Sequence, residues 1–229
     1  MNILAFDTVS SNFSIALQKD DDTIIEHNKQ NIKNHNEILL PSIQLLLDEN
    51  NVSLDDITYI ALGIGPGSFT ALRIAFATIK TICYAKNIHI IGIPSLDALY
   101  ENIKNYDGIK SSMIDARKGS IYANIYYNNE KIKENMDLTY KEFIDIINSI
   151  ETTSKNITLC GDGFYNNKDF FIENLKNYNI KLLDNDANII KASNIISLSK
   201  HKFDNKQFDD IHSLLPLYIR KSEAENKKN

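Results

Sequence analysis

Two cysteines, Cys83 and Cys160, are too few for a disulfide framework, which excludes the stapled secreted scaffolds and fits a reducing, cytoplasmic compartment. No run of about 18 apolar residues occurs, so no transmembrane helix and no membrane partner are expected. The opening residues Met1-Asn2-Ile3-Leu4-Ala5-Phe6-Asp7 lack the basic and apolar regions of a leader, so a signal peptide is not expected. Proline and glycine are sparse, at 4 and 8 residues, and no Pro/Gly/Ser-rich linker divides the chain. Positive charge is not in excess: 25 Lys and Arg stand against 30 Asp and Glu, a net charge of −5. A protein that grips nucleic acid by itself shows a basic face. The nearest candidate is the tail, where Glu223 and Glu225 dilute Arg220, Lys221, Lys227 and Lys228. What the chain does have is 43% hydrophobic residues over a length of 229, enough for a real core.

The apolar patterning predicts strands over 3–7, 13–18 and 23–26 in an antiparallel meander. A helix capped by Asn34 or Asn36 then runs to about 49, with Leu39, Ile43, Leu46 and Leu47 at helical spacing. A buried strand over 57–63, a helix over 69–86, a strand over 88–93 and a helix over 96–104 follow. Three antiparallel strands followed by helix, strand, helix, strand, helix is the order of one half of the ribonuclease-H-like fold, the repeating unit of actin-like proteins. A second, smaller lobe restarts near Tyr106-Asp107-Gly108. It has strands over 110–115, 120–127 and 157–160 and helices over 140–150, 164–177 and 189–201. The expected class is therefore α/β, a two-lobed actin-like fold with lobes 1–105 and 106–229, each a mixed sheet with helices. The C-terminal helix is open to packing back on the first lobe.

The segment Gly63-Ile64-Gly65-Pro66-Gly67-Ser68-Phe69-Thr70-Ala71-Leu72-Arg73 leaves a strand and enters a helix, whose free N–H groups and dipole suit an anion. It is not a Walker loop, which needs Gly-Lys before Ser or Thr. Nor is it a full dinucleotide fingerprint, because Ser68 replaces the third glycine and Pro66 removes an N–H. A nucleophile elbow is also excluded, since Ser68 is followed by Phe69-Thr70, and the sequence positions no base for a peptidase. A structural turn and a weak anion or nucleotide site remain as readings. Asp7 and Thr8 end the first strand, and Asp115-Ala116-Arg117 holds the equivalent place in the second lobe. Facing each other, Asp7 and Asp115 would hold a magnesium nucleotide. Alternatively, Asp7 accepts N–H bonds in its own turn and Asp115 pairs with Arg117. The candidate site is thus Asp7, Thr8, Gly65, Gly67, Ser68, Asp115 and Arg117. The histidines His27, His35, His89, His201 and His212 show no metal-ligand spacing, and no metal is expected. His35 reads as a cap or surface residue. The helices after the meander carry more apolar and small residues than one buried stripe needs. Leu39, Ile43, Ala71, Ile74, Ala75 and Thr78 are expected to form an exposed face for association.

These segments together resemble the TsaB (YeaZ) family. The resemblance is carried by Ile3-Leu4-Ala5-Phe6-Asp7-Thr8, by His35 with Leu39-Leu40-Pro41, and by the run from Gly63 to Ile74. It continues in Ile114-Asp115-Ala116-Arg117-Lys118-Gly119 with Ile121-Tyr122, and ends in Pro216-Leu217-Tyr218-Ile219-Arg220. It implies an actin-like fold and a non-catalytic role in making threonylcarbamoyladenosine on tRNA. The implied partners are a TsaD-like catalytic subunit, which carries the metal-binding histidines, and a TsaE-like ATPase. A homodimer is implied in the absence of TsaD, and tRNA is met only through the complex. No cofactor is implied beyond weak binding of ATP or ADP. Ala71 and Ala75 depart from the glycines usual in the family, on the helix expected at the subunit contact.

Overall fold

The computed structural model describes residues 1–20, 22–30, 32 and 35–220. The chain divides into two compact units, 1–98 with 190–217 and 99–189 with 218–229. The division falls at 98/99 rather than 105/106, because the last helix returns to the first unit and residues 99–105 stay with the second.

In the first unit β1 (Asn2–Asp7), β2 (Phe13–Gln18) and β3 (Ile24–Lys29) form the antiparallel meander. After α1 (His35–Glu49) come β4 (Ile57–Gly63), α2 (Phe69–Lys86), β5 (His89–Ile93) and α3 (Ser95–Tyr100). β4 runs parallel to β1, and β5 parallel to β4, giving the order β3-β2-β1-β4-β5. Successive residues of β1, β2 and β4 are buried, so both faces of the central strands are covered. Asn36 lies inside α1 rather than capping it, and Asn34 and the side chain of His35 fall outside the described residues. α3 ends at Tyr100, short of the expected 104, with turns at 101–105.

The helix at 192–204 is held to this first unit by polar bonds at its start and further contacts along its length. Glu26 on β3 accepts from the Ser193 N–H at 2.9 Å and from the Ser193 hydroxyl at 3.0 Å, and Ser14 accepts the Ala192 N–H at 2.8 Å. A carboxylate at a helix N-terminus meets both free donors and the favourable end of the dipole. Further along, Ser199 pairs with the Tyr59 hydroxyl at 2.9 Å, and Phe203 stacks on the Tyr59 ring.

The second unit repeats the plan. β6 (Ile109–Arg117), β7 (Ser120–Tyr127) and β8 (Glu130–Thr139) form a meander. α4 (Tyr140–Ser149), β9 (Asn156–Cys160), α5 (Asp162–Tyr165), α6 (Lys168–Asn174) and β10 (Asn179–Lys181) follow, and α7 (Ala192–Asp204) is the helix of the first unit just described. The order β10-β9-β6-β7-β8 is that of the first sheet, with β6 in the place of β1. Ile109, Met113, Ile125, Phe143, Ile157 and Phe171 lie at the heart of its core. Two mixed sheets of this order place the chain in the actin-like, ribonuclease-H-like class. β8 and β10 were not expected from the pattern. β8 is a largely exposed edge strand whose apolar alternation, Ile132, Met136 and Leu138, is broken by Glu134, and it is joined to β7 through Asn128 and Asn129 at φ 49° and 66°, the conformation of a tight hairpin. The helix expected over 164–177 is two short ones, broken at Asn166 and Asn167. There the Asn167 side chain bonds the Gly163 carbonyl.

Candidate functional site

In the first unit the end of β1, the β4–α2 turn and the start of α3 converge on Asp7. This carboxylate is only 2% exposed. Its Oδ1 accepts the Val9 N–H at 2.9 Å, and its Oδ2 accepts the Ser95 hydroxyl at 2.6 Å. Ser95 in turn accepts the Gly65 N–H at 3.2 Å. Asp7 is therefore a hub that ties three segments together. Only glycine fits beside it: a Cβ on Gly63 would lie 1.9 Å from Asp7 Oδ2. Gly67 is equally constrained, since its Cβ would sit 2.5 Å from both Cβ and O of Val9. That approach lets Ser68 donate its N–H to the Val9 carbonyl at 2.8 Å. Ser68 then caps α2, accepting the Ala71 N–H at 3.4 Å. The Gly65–Pro66 peptide is cis. Thr8 is buried, and among the described residues its hydroxyl has no hydrogen-bond partner.

The second unit carries the same local device. Asp115 Oδ1 accepts the Arg117 N–H at 2.8 Å, two residues on, as Asp7 does with Val9. The Asp115 N–H donates to Asp162 Oδ1 at 2.9 Å, which joins β6 to the turn after β9. Arg117 and Lys118 take φ of 64° and 54° at the exposed hairpin tip. Burial, and then the Asp115 carboxylate nearby, push the Tyr140 phenol above its ordinary value. The sequence pairing of Asp115 with Arg117 is thus a bond to the backbone. Ser95, Asp162 and Asp137, which complete these arrangements, were not singled out by sequence. All three lie far from their partners along the chain.

Arg220 is engaged within the second unit. Its Nε and Nη2 hold the two oxygens of Asp137 at 2.7 and 2.5 Å, its Nη1 donates to the Ala116 carbonyl at 3.2 Å, and its guanidinium lies 5.8 Å from the Tyr122 ring centre. Arg220, which the sequence groups with the basic tail, is thus held in an ion pair within its own unit. Lys221, Lys227 and Lys228 lie outside the described residues.

The expected exposed helical face also needs correction. Leu39, Ile43, Ala71 and Ala75 are buried within the chain, and Ile74 and Thr78 are half-buried. α1 packs against α2, and the small residues Ala71 and Ala75 fall on the buried side of α2, beside Leu72, Phe76 and Ile79. Residues that do face outward include Leu40 at 53% and Leu45 at 49% on α1, and Arg73, Ala77, Thr81 and Tyr84 on α2. The Arg73 guanidinium lies 4.0 Å over the Phe69 ring.

Neither thiol has the exposed, electropositive surroundings that activate a cysteine. Both cysteines are free and buried, and burial pushes Cys83 to about 12 and Cys160 upward as well. Among the described residues, no three His, Cys, Asp or Glu side chains are grouped to hold a metal, and no helix is long and apolar enough to cross a membrane.

A family model described as "TsaD: tRNA N6-adenosine threonylcarbamoyltransferase" matches residues 24–228. The tRNA threonylcarbamoyladenosine biosynthesis protein TsaB of Bacillus subtilis is 28% identical over 228 residues, covering 99% of this chain and 97% of its own. The protein of the same name from Buchnera aphidicola subsp. Baizongia pistaciae is 30% identical, covering 95% and 97%. Among solved structures, YeaZ from Pseudomonas aeruginosa superposes with a TM-score of 0.74 at 21% identity, covering 95% of this chain and 99% of its own.

Proposed function

We infer that this chain, which belongs to the TsaB (YeaZ) family and shares the TsaD family model, is a non-catalytic subunit in the formation of threonylcarbamoyladenosine at adenosine 37 of tRNA. It works by pairing with a TsaD-like catalytic subunit and stabilising it, together with a TsaE-like ATPase. The observation that carries the reading is the match to TsaB relatives from end to end, at 97% of the length of each. The non-catalytic assignment is supported by what the candidate residues do. Asp7 is buried in bonds that hold its own turn, Ser68 caps a helix, and both thiols are buried and protonated. Nucleotide binding is weak at most, with the Thr8 hydroxyl as a spare donor and the start of α2 as the anion end.

The pairing face combines the outward residues Leu40, Leu45, Ala77 and Tyr84 of α1 and α2 with the half-buried Ile74. Apolar side chains on successive helices are what a partner's apolar face would cover. Without the TsaD-like subunit the same face closes a homodimer. tRNA is met through the assembled complex in the cytoplasm. Co-purification with a TsaD-like protein tests the pairing: a complex is expected, and its loss in an Ile74→Arg variant that still folds. An unchanged affinity in that variant rejects the face. Steady turnover of magnesium ATP by the isolated chain, above about 1 s⁻¹, would replace the subunit reading by that of an actin-like phosphotransferase acting alone.

A further inference from the structure

β5 closes one edge of the first sheet, and its sequence His89-Ile90-Ile91-Gly92-Ile93 holds no Asp, Glu, Lys or Arg. The other edge strands protect themselves. β3 carries Glu26 and Lys29, β8 carries Glu130, Lys131, Lys133 and Glu134 with register shifts, and β10 is three residues long. Charges, bulges and shortness are the usual means of stopping an open edge from recruiting another strand. β5 has none of them, and a β-branched apolar run with open backbone groups is the kind of segment that adds strands.

Its protection comes from elsewhere in the chain. The Asp209 N–H donates to the Ile90 carbonyl at 3.0 Å, in an isolated antiparallel bridge. The Gly92 N–H donates to Asp209 Oδ2 at 2.7 Å. The Gly92 carbonyl accepts from Lys202 Nζ, on α7, at 2.9 Å. The ammonium and the carboxylate lie 3.9 Å apart. A carboxylate stands where a neighbouring strand would offer C=O, and an ammonium stands where it would offer N–H. Gly92 makes room for this: a Cβ there would meet Ile64 Cγ2 at 2.7 Å and Leu214 Cδ1 at 3.2 Å. We propose that Lys202 and Asp209 form a side-chain cap that closes the β5 edge against strand addition, and that the occupant it excludes is β5 of a second copy, paired antiparallel about a two-fold axis. An identical apolar edge on two copies is self-complementary, which an isologous contact requires.

The test uses the full chain and a Lys202→Ala/Asp209→Ala double variant. Hydrogen exchange of the 88–94 peptide and light scattering are read over a concentration series. In dilute solution the Gly92 amide is expected to exchange at least tenfold faster than in the wild type. At high concentration a species larger than any the wild type forms is expected, with the 88–94 amides protected again. Asp209→Asn keeps an oxygen for the Gly92 N–H and is expected to match the wild type in both readings. A folded double variant with wild-type mass at every concentration overturns the proposal. So does a larger species in which 88–94 stays unprotected, or an Asp209→Asn variant that associates as the double variant does. Asp209→Ala alone, which uncovers the Gly92 N–H, supplies the same two readings should the double variant not fold.

Discussion

Asp7 and Arg220 are the two side chains whose sequence readings change most once their neighbours are known. A strand-end aspartate beside a glycine-rich turn suggests metal or phosphate chemistry, but Asp7 spends its oxygens on the Val9 N–H and the Ser95 hydroxyl. Ser95→Ala should remove one bond from the buried Asp7 carboxylate and the acceptor of the Gly65 N–H, costing about 1–3 kcal/mol in denaturant unfolding. An unchanged midpoint would mean that the hub is not structural. Arg220 looked like the head of a basic tail, whereas it grips Asp137 through two bonds. The two side chains keep 34% and 26% of their surface in water. Arg220→Ala is therefore expected to cost only about 1 kcal/mol, with Arg220→Lys failing to restore it because one ammonium cannot make the paired fork. The sequence singled out Asp7, Asp115 and Arg220. It could not show their partners, because Ser95 and Asp137 lie 88 and 83 residues away along the chain.

Among the elements, the strongly periodic ones were legible and the weakly periodic ones were not. β1, β4 and α2 follow the sequence boundaries closely, because long apolar runs and stripes leave few alternatives. β8 stayed hidden because its residues face water and its pairing comes from β7. The two-sided character of α1 and α2 was visible, but which side is buried depends on packing that no single helix reveals. Ala75, at 1% exposed, is on the inner side. An Ala75→Arg variant should lose roughly 3–5 kcal/mol of fold stability by burying an unpaired charge, while Ile74→Arg should leave the melting curve nearly unchanged. Equal melting of the two variants would contradict the placement. α4 offers a pH test. Thr139 and Glu142 form a capping box, and the Thr139 N–H and hydroxyl bonds hold the Glu142 carboxyl below its ordinary value of 4.5. A carboxylate whose folded pKa is lowered adds stability above the unfolded value, and that stability is lost as pH falls through the folded one. The melting difference between wild type and Glu142→Ala should therefore be present at neutral pH and vanish in acid below 4.5. A difference that persists unchanged there would rule out the linkage.

At the scale of the whole molecule the two sheets share one strand order, and in both a strand-end aspartate accepts the N–H two residues on. Direct similarity between the halves is too weak to read from sequence, since a core needs only apolar residues of suitable size and the backbone order carries the likeness. Both halves keep the frame of an actin-like site while the candidate residues serve the frame itself. With a net charge of −5 and Arg220 tied to Asp137, the isolated chain should bind tRNA weakly at physiological salt. Removing residues 221–229 should change that binding little, and sub-micromolar binding by the isolated chain would contradict the indirect role. The central claim is a subunit without its own chemistry, and the formation of threonylcarbamoyladenosine on tRNA tests it most directly. A threonylcarbamoyl donor and tRNA are supplied to this chain alone, to a TsaD-like protein with the TsaE-like ATPase, and to all three together. Modified tRNA is expected from the three together and not from this chain alone, with little or none when this chain is left out. Modified tRNA from this chain alone, or undiminished modification without it, would contradict the account.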